Sequence, residues 1–237
     1  MTRIVTTVLM AALWCTIPRT AAAGPLNIDI GSFSGGTAVL HAPGTLADGV
    51  NVYLGAVRIT GELGTFESYC VDLQHYAVLG ANQTTLDSMA NWNNGAGVPH
   101  ATLGGGAASW LYNTYSGSAA GHQDRQAALS LAIWNSLYDD DFSVTGGTGF
   151  WATSLSSASY ATLANDWLAE LSLQIDNGAT LPYAGWLRTV DGANNRSQDF
   201  IAPTPVPEPG SILLMGSGLA SLLGLRRRRA RQSKSDC

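Results

Sequence analysis

Two stretches of this 237-residue chain gather side chains that could do chemistry. The first is Ser68-Tyr69-Cys70-Val71-Asp72-Leu73, where a thiol stands beside a phenol and a carboxylate. The second is Gln126-Ala127-Ala128-Leu129-Ser130-Leu131-Ala132-Ile133-Trp134-Asn135, which carries an amide, a hydroxyl and an indole at helical spacing. A cysteine hydrolase would need a histidine and an orienting acid near the thiol. His41, His75, His100 and His122 are the available imidazoles, and no local nucleophile motif surrounds Cys70. Cys70 and His75 lack a second ligand pair, so they are not read as a zinc site. Asp139-Asp140-Asp141 offers oxygens to calcium but without EF-hand spacing, and reads as a solvated acidic helix end. No metal or organic cofactor is predicted, and no catalytic residue is assigned.

Together the two stretches are similar to the signature segments of bacterial thioester domains. These are surface adhesin modules with a Tyr-Cys-Ile/Val-Asp strand and a Thr-Gln-x-Ala-Ile-Trp helix. The resemblance implies an internal thioester between a cysteine sulfur and a glutamine carbonyl, a stored electrophile that amines attack without a catalytic triad. Cys70 matches the cysteine, and Ala132-Ile133-Trp134 matches the helix. The chain departs at the reacting position, where Ser130 replaces the glutamine and Leu129 the threonine. Serine has no acyl carbon to offer. Gln126 lies one turn earlier on the same face and meets Cys70 only if the strand end shifts by about 5 to 6 Å. Cys70 and Gln126 are the candidate reactive residues. Two readings stand beside that one: a thioester-like scaffold that keeps the fold without the bond, and a Cys70 that is simply a small buried residue. The thioester-like arrangement makes Cys70 a neighbour of the 125–138 helix, with Ser130 nearer the sulfur than Gln126.

The elements that must position these residues follow from periodicity. Leu26 to Phe33, Thr37 to His41 and Gly49 to Thr60 alternate as strands, the last with a parity switch near Gly55 that suggests a bulge. Gly61-Glu62-Leu63-Gly64 reads as a hairpin turn into Thr65 to Leu73. Gly80 to Gly106 is polar and glycine-rich, with one helix predicted over Thr85 to Trp92. Ala107, Trp110, Leu111 and Thr114 share a helical face. Asp124 is placed to cap a helix from Arg125 to Tyr138 that presents Ala127, Leu131, Trp134 and Tyr138. Ser157 to Ile175 is a third helix, stopped by Asn177-Gly178. Tyr183 to Val190 and Asp199 to Ile201 return as strands. The fold class is α+β: an antiparallel sheet or barrel with an inserted helical portion, spanning 24–202 as one exported domain. The tryptophans are read mostly as core, with a sugar-stacking platform as the alternative.

Both ends of the chain read as targeting devices. Arg3 precedes a fourteen-residue apolar run, Ile4 to Ile17, and Ala21-Ala22-Ala23 offers an A-x-A cleavage site before Gly24. Residues 1–23 are therefore a signal peptide. At the other end a proline-rich linker, 203–210, contains Val206-Pro207-Glu208-Pro209. An uncharged helix, 211–225, follows; its fifteen residues span about 22 Å against about 30 Å of hydrocarbon. Arg226, Arg227, Arg228 and Arg229 open a basic cytoplasmic tail, 226–237, and act as a membrane stop. Over 205–231 the chain resembles a PEP-CTERM sorting signal. That resemblance implies export, processing near Pro-Glu-Pro by an exosortase-type transpeptidase, and an association with surface or biofilm material and extracellular polysaccharide. The partners expected are the Sec machinery, the exosortase and, transiently, the inner membrane.

Between the trimmed ends, residues 24–225 hold four arginines, no lysine and sixteen acids, a net charge of −12. Such a body does not bind nucleic acid or anionic lipid electrostatically. Cys15 leaves with the signal and Cys237 with the tail, so Cys70 is alone and no internal disulfide forms. The overall expectation is a non-enzymatic envelope or matrix protein, with a Cys70-centred adhesin or hydrolase as the alternative.

Overall fold

The computed structural model describes residues 25–93 and 101–204. Nine strands and three helices are present among them: β1 Leu26–Ser34, β2 Thr37–His41, β3 Val50–Tyr53, β4 Ala56–Gly61, β5 Gly64–Cys70, β6 Gly80–Ser88, α1 Gly104–Ala119, α2 Gln123–Tyr138, β7 Trp151–Thr153, α3 Ser159–Asp176, β8 Gly185–Asp191 and β9 Phe200–Ala202. Six strands close an antiparallel barrel in the order β1-β4-β5-β9-β8-β6, and β3-β2-β7 form a separate small sheet. The class is α+β, as expected. The signal segment, Ala21 to Gly24, Val206 to Pro209, the 211–225 helix, Arg226 to Arg229 and His100 lie outside the described residues. Within them no helix is long and apolar enough to cross a membrane.

Barrel registry follows from alternating burial. Ile28, Ile30, Val57, Ile59, Ser68 and Cys70 sit on one parity of their strands and are buried. Phe200, opposite Cys70, and Leu187, opposite Phe200, continue the same interior layer. The β4–β5 hairpin turns through Glu62-Leu63 between paired Gly61 and Gly64, where Gly64 supplies the positive φ of 90°.

Several expectations need correction. Gly49 to Thr60 is not one bulged strand but two strands of different sheets, divided at Gly55. There φ is +112°, and a Cβ would lie 1.6 Å from the Ser34 carbonyl oxygen, so only glycine lets the chain cross between sheets. The polar stretch after Gly80 is strand β6, not helix. Its buried alternate residues are Asn82 and Thr84, so the period of two is present but written in polar letters. Only Met89–Asn91 makes a helical turn there, a 3-10 turn capped by Ser88. The sequence reading also passed over β7, a three-residue strand.

The helices depart from a simple one-faced pattern. α2 begins at Gln123, so Asp124 lies in its first turn instead of capping it. Every residue of α2 from Gln126 to Tyr138 is buried, which makes it a central helix and not an amphipathic surface one. It packs between α1 and α3 and onto β1 and β4. Small residues make this possible: Ala127, Ala128 and Ala132 on α2, and Gly104 on α1, where a Cβ would stand 3.4 Å from the Leu137 backbone. Thr114 of α1 is exposed, so the buried face runs through Ala107, Ala108, Leu111 and Tyr112. α3 stops where Gly178 takes φ of 69°.

Candidate functional site

Cys70 ends β5 with its side chain on the interior parity at one mouth of the barrel, 3% exposed. Burial, and secondarily the charge of Asp72, push its thiol well above the ordinary value. It therefore stays protonated at neutral pH and is a poor nucleophile. Just beyond it, Asp72 Oδ2 meets His75 Nδ1 at 2.5 Å, and Asp72 Oδ1 accepts the Gln74 N–H at 2.7 Å. No hydrogen bond joins His75 to the Cys70 sulfur among the described residues.

Two contacts fix how β5 lies along α2. Gln126 Nε2 donates to Glu67 Oε2 at 2.8 Å, and the Leu73 N–H donates to the Tyr138 hydroxyl at 2.9 Å. These contacts tie both ends of α2 to the chain on either side of Cys70. Cys70 and Trp134 of α2 line one cavity, which makes the thiol and the helix neighbours.

Gln126 and Ser130 both have work elsewhere. The other end of the Gln126 amide, Oε1, accepts from the Ser34 hydroxyl at 2.8 Å, so both ends are satisfied on the β1–β5 side. Ser130 Oγ accepts the Gly55 N–H at 2.8 Å and donates to the Gly55 carbonyl at 3.0 Å. The hydroxyl thus satisfies both backbone groups of the residue where the chain changes sheet.

A cavity of about 220 Å³ opens over Cys70. Trp134, one turn beyond Ser130, lines it together with Cys70, Phe33, Val52, His75 and Gln198. Leu46, Tyr53 and Tyr76 stand exposed at its rim. The loops forming the mouth are tied together, since the Gln198 amide donates to the Asp72 carbonyl at 2.8 Å and the Val71 N–H donates to the Asp199 carbonyl at 3.0 Å. Asp199 is buried, and burial raises its carboxyl to about 6, against the pull of the Thr189 N–H and Arg196. Sequence reasoning missed Tyr53 and Tyr76. The available signal was an aromatic at an outward strand position, and another in a loop with no core to join.

The acidic run organises loops. Asp139 Oδ2 accepts the N–H groups of Gly149 and Phe150, Asp140 accepts from Thr102, and Asp141 Oδ1 accepts from Asn135 and the Ser143 N–H. Among the described residues no group of three or more His, Cys, Asp or Glu side chains could hold a metal. Of the tryptophans, Trp92, Trp134, Trp167 and Trp186 are buried. Trp151 is partly exposed, stacked on His41 at 4.8 Å.

Residues 205–229 match the family described as PEP-CTERM protein-sorting motif. The chain carries a PEP-CTERM sorting motif. The PEP-CTERM segment begins three residues after β9 ends at Ala202, and it implies an exosortase-sorted, exported protein whose precursor passes through the membrane. No curated protein matches the chain. Among solved structures, the N-terminal thioester domain of fibronectin-binding protein SfbI from Streptococcus pyogenes is similar at 15% identity and a TM-score of 0.43, covering 76% of this chain and 98% of that one. At that score the likeness assigns no chemistry to Cys70.

Proposed function

We propose that this protein is a non-enzymatic component of the cell surface or extracellular matrix, delivered as a folded barrel and released near Pro207-Glu208-Pro209. The observation that carries this reading is the PEP-CTERM motif at 205–229, joined to the last barrel strand by a few residues. The state of the mouth supports the non-enzymatic part. The Cys70 thiol is buried and held protonated, and the Gln126 amide is engaged by Glu67 and Ser34. A thioester would need that amide to leave both partners, reach the Cys70 sulfur and lose ammonia.

Fractionation of cells, medium and matrix, with intact mass of the recovered body, tests both halves. The expected product is matrix- or surface-associated, ends near the Pro-Glu-Pro motif and has the full mass of its residues. Recovery only as an inner-membrane protein with an intact tail would refute the delivery. A mass lower by one ammonia, shifted by methylamine, would establish the thioester instead.

A further inference from the structure

β9 pairs with β8 through Leu187–Phe200, Trp186–Ile201 and Gly185–Ala202. Two residues further on, the Thr204 hydroxyl donates to the Tyr183 carbonyl at 3.2 Å, so the chain still follows the same antiparallel course. Continued at that register, Val206 falls opposite Leu181 and Glu208 opposite Ala179. The stretch they would meet is an open edge. Ala179, Thr180, Pro182 and Tyr183 are exposed. Among the described residues the N–H groups of Thr180, Leu181 and Tyr183, and the Leu181 carbonyl, have no partner. A row of unpaired backbone groups accepts an added strand.

The outgoing chain suits one-sided pairing. Prolines stand at 203, 205, 207 and 209. Successive residues of a strand turn their backbone groups to opposite sides, so the remaining donors, on Thr204, Val206 and Glu208, all face one way. In β9 the odd-numbered carbonyls face β5, where Asp199 accepts the Val71 N–H and Ile201 the Ser68 hydroxyl. The even-numbered groups therefore face β8 and, beyond it, Tyr183 and Leu181. The prolines fall on the outer side, where a missing N–H leaves no ladder bond unmade. Side chains agree with the backbone. Residues opposite one another share a face, so Val206 stands over Leu181, which lines a groove of about 480 Å³ with Leu103 and Tyr183. α1 starts at that groove with neither a side-chain cap nor an acid in its first turn. Glu208, the one charge between 203 and 225, complements this positive helix end.

We propose that Thr204 to Glu208 adds to the 179–183 edge as an antiparallel strand, with Val206 paired to Leu181. The sorting motif then begins as part of the folded sheet and not as free linker.

Hydrogen exchange of the full-length chain in detergent tests the strand, and a peptide of residues 203–210 supplies the unpaired rate. The Val206 amide should exchange at least about tenfold more slowly in the protein than in the peptide, and Leu181 should be protected with it. Val206→Pro removes one donor of the pair and should free the Leu181 amide. Leu181→Pro removes the other without touching the motif, and should free Val206 while β6 and β8 stay protected. Register is checked by disulfide formation in mild oxidant, read by peptide mapping. Leu181→Cys with Val206→Cys should link at least about fivefold faster than Leu181→Cys with Pro207→Cys, whose side chain faces the other way. Peptide-like exchange at Val206, or equal rates for the two cysteine pairs, would overturn the strand. Protection of Leu181 that survives Val206→Pro would assign the edge to residues 94–100 or a second copy, and overturn it equally.

Discussion

The Ser130 hydroxyl holds Gly55 by both backbone groups, accepting its N–H at 2.8 Å and donating to its carbonyl at 3.0 Å. Ser130 is 1% exposed, so water cannot replace it. Ser130→Ala should therefore destabilise the fold by about 2 kcal/mol, measured by denaturant unfolding. Gly55→Ala should be far worse, above ~4 kcal/mol or unfoldable, because its Cβ would overlap the Ser34 carbonyl. Tolerance of Gly55→Ala would show that the sheet crossing is made differently.

Gln126 sits against a carboxylate, so its amide cannot be exchanged for an acid without cost. Gln126→Glu would set two carboxylates about as close as the present 2.8 Å contact with Glu67. The variant should lose about 2–4 kcal/mol at pH 7 and recover much of it below about pH 5, as one carboxyl takes up a proton. Equal stability at both pH values would place Gln126 elsewhere.

Asp199 gives the pH dependence a definite sign. Its folded carboxyl is raised from 3.8 to about 6, so the folded state holds a proton that the unfolded chain has released. Its contribution is fully present below about pH 4 and is lost as pH rises through 6, a fall of about 3 kcal/mol. Asp199→Asn should flatten stability between pH 4 and 7, read as the difference between the two denaturation curves.

Reducing agent should leave the melting temperature of the monomeric body unchanged. Cys70 is its lone cysteine once the signal and tail are removed, and it is buried. A drop of several degrees would reveal a second thiol or an intermolecular bond.

The sorting motif at 205–229 could be read from its order of features, and the hairpin at Gly61 to Gly64, strands β1, β2, β8 and β9 and the extents of α2 and α3 from apolar periodicity or turn chemistry. β6 could not. Its inward residues, Asn82 and Thr84, are polar, and the Asn82 side-chain nitrogen donates to the carbonyls of Val78 and Gly80. The depth of α2 was hidden for a related reason. Gln126, Ser130 and Asn135 look like a solvent face until their partners on β5, Gly55 and the 141–143 turn are seen. At the site, neighbourhood was legible from the Cys70 and Trp134 segments, whereas the cavity was not. Its rim comes from the 73–77 loop and from β3, a strand of the separate small sheet, whose placement beside Cys70 no local pattern announces.

β9 has three residues, and its pairing to β5 runs through Tyr69–Ile201 and Cys70–Phe200. The sorting motif begins at residue 205, so any pull on the membrane-held precursor is delivered almost directly to this strand. Load applied at a strand's end parts its ladder one pair at a time, and this ladder is short. Tension along the tether would load the two pairs of β9 with β5, Cys70–Phe200 among them, and its three pairs with β8. Cutting the tether removes that load.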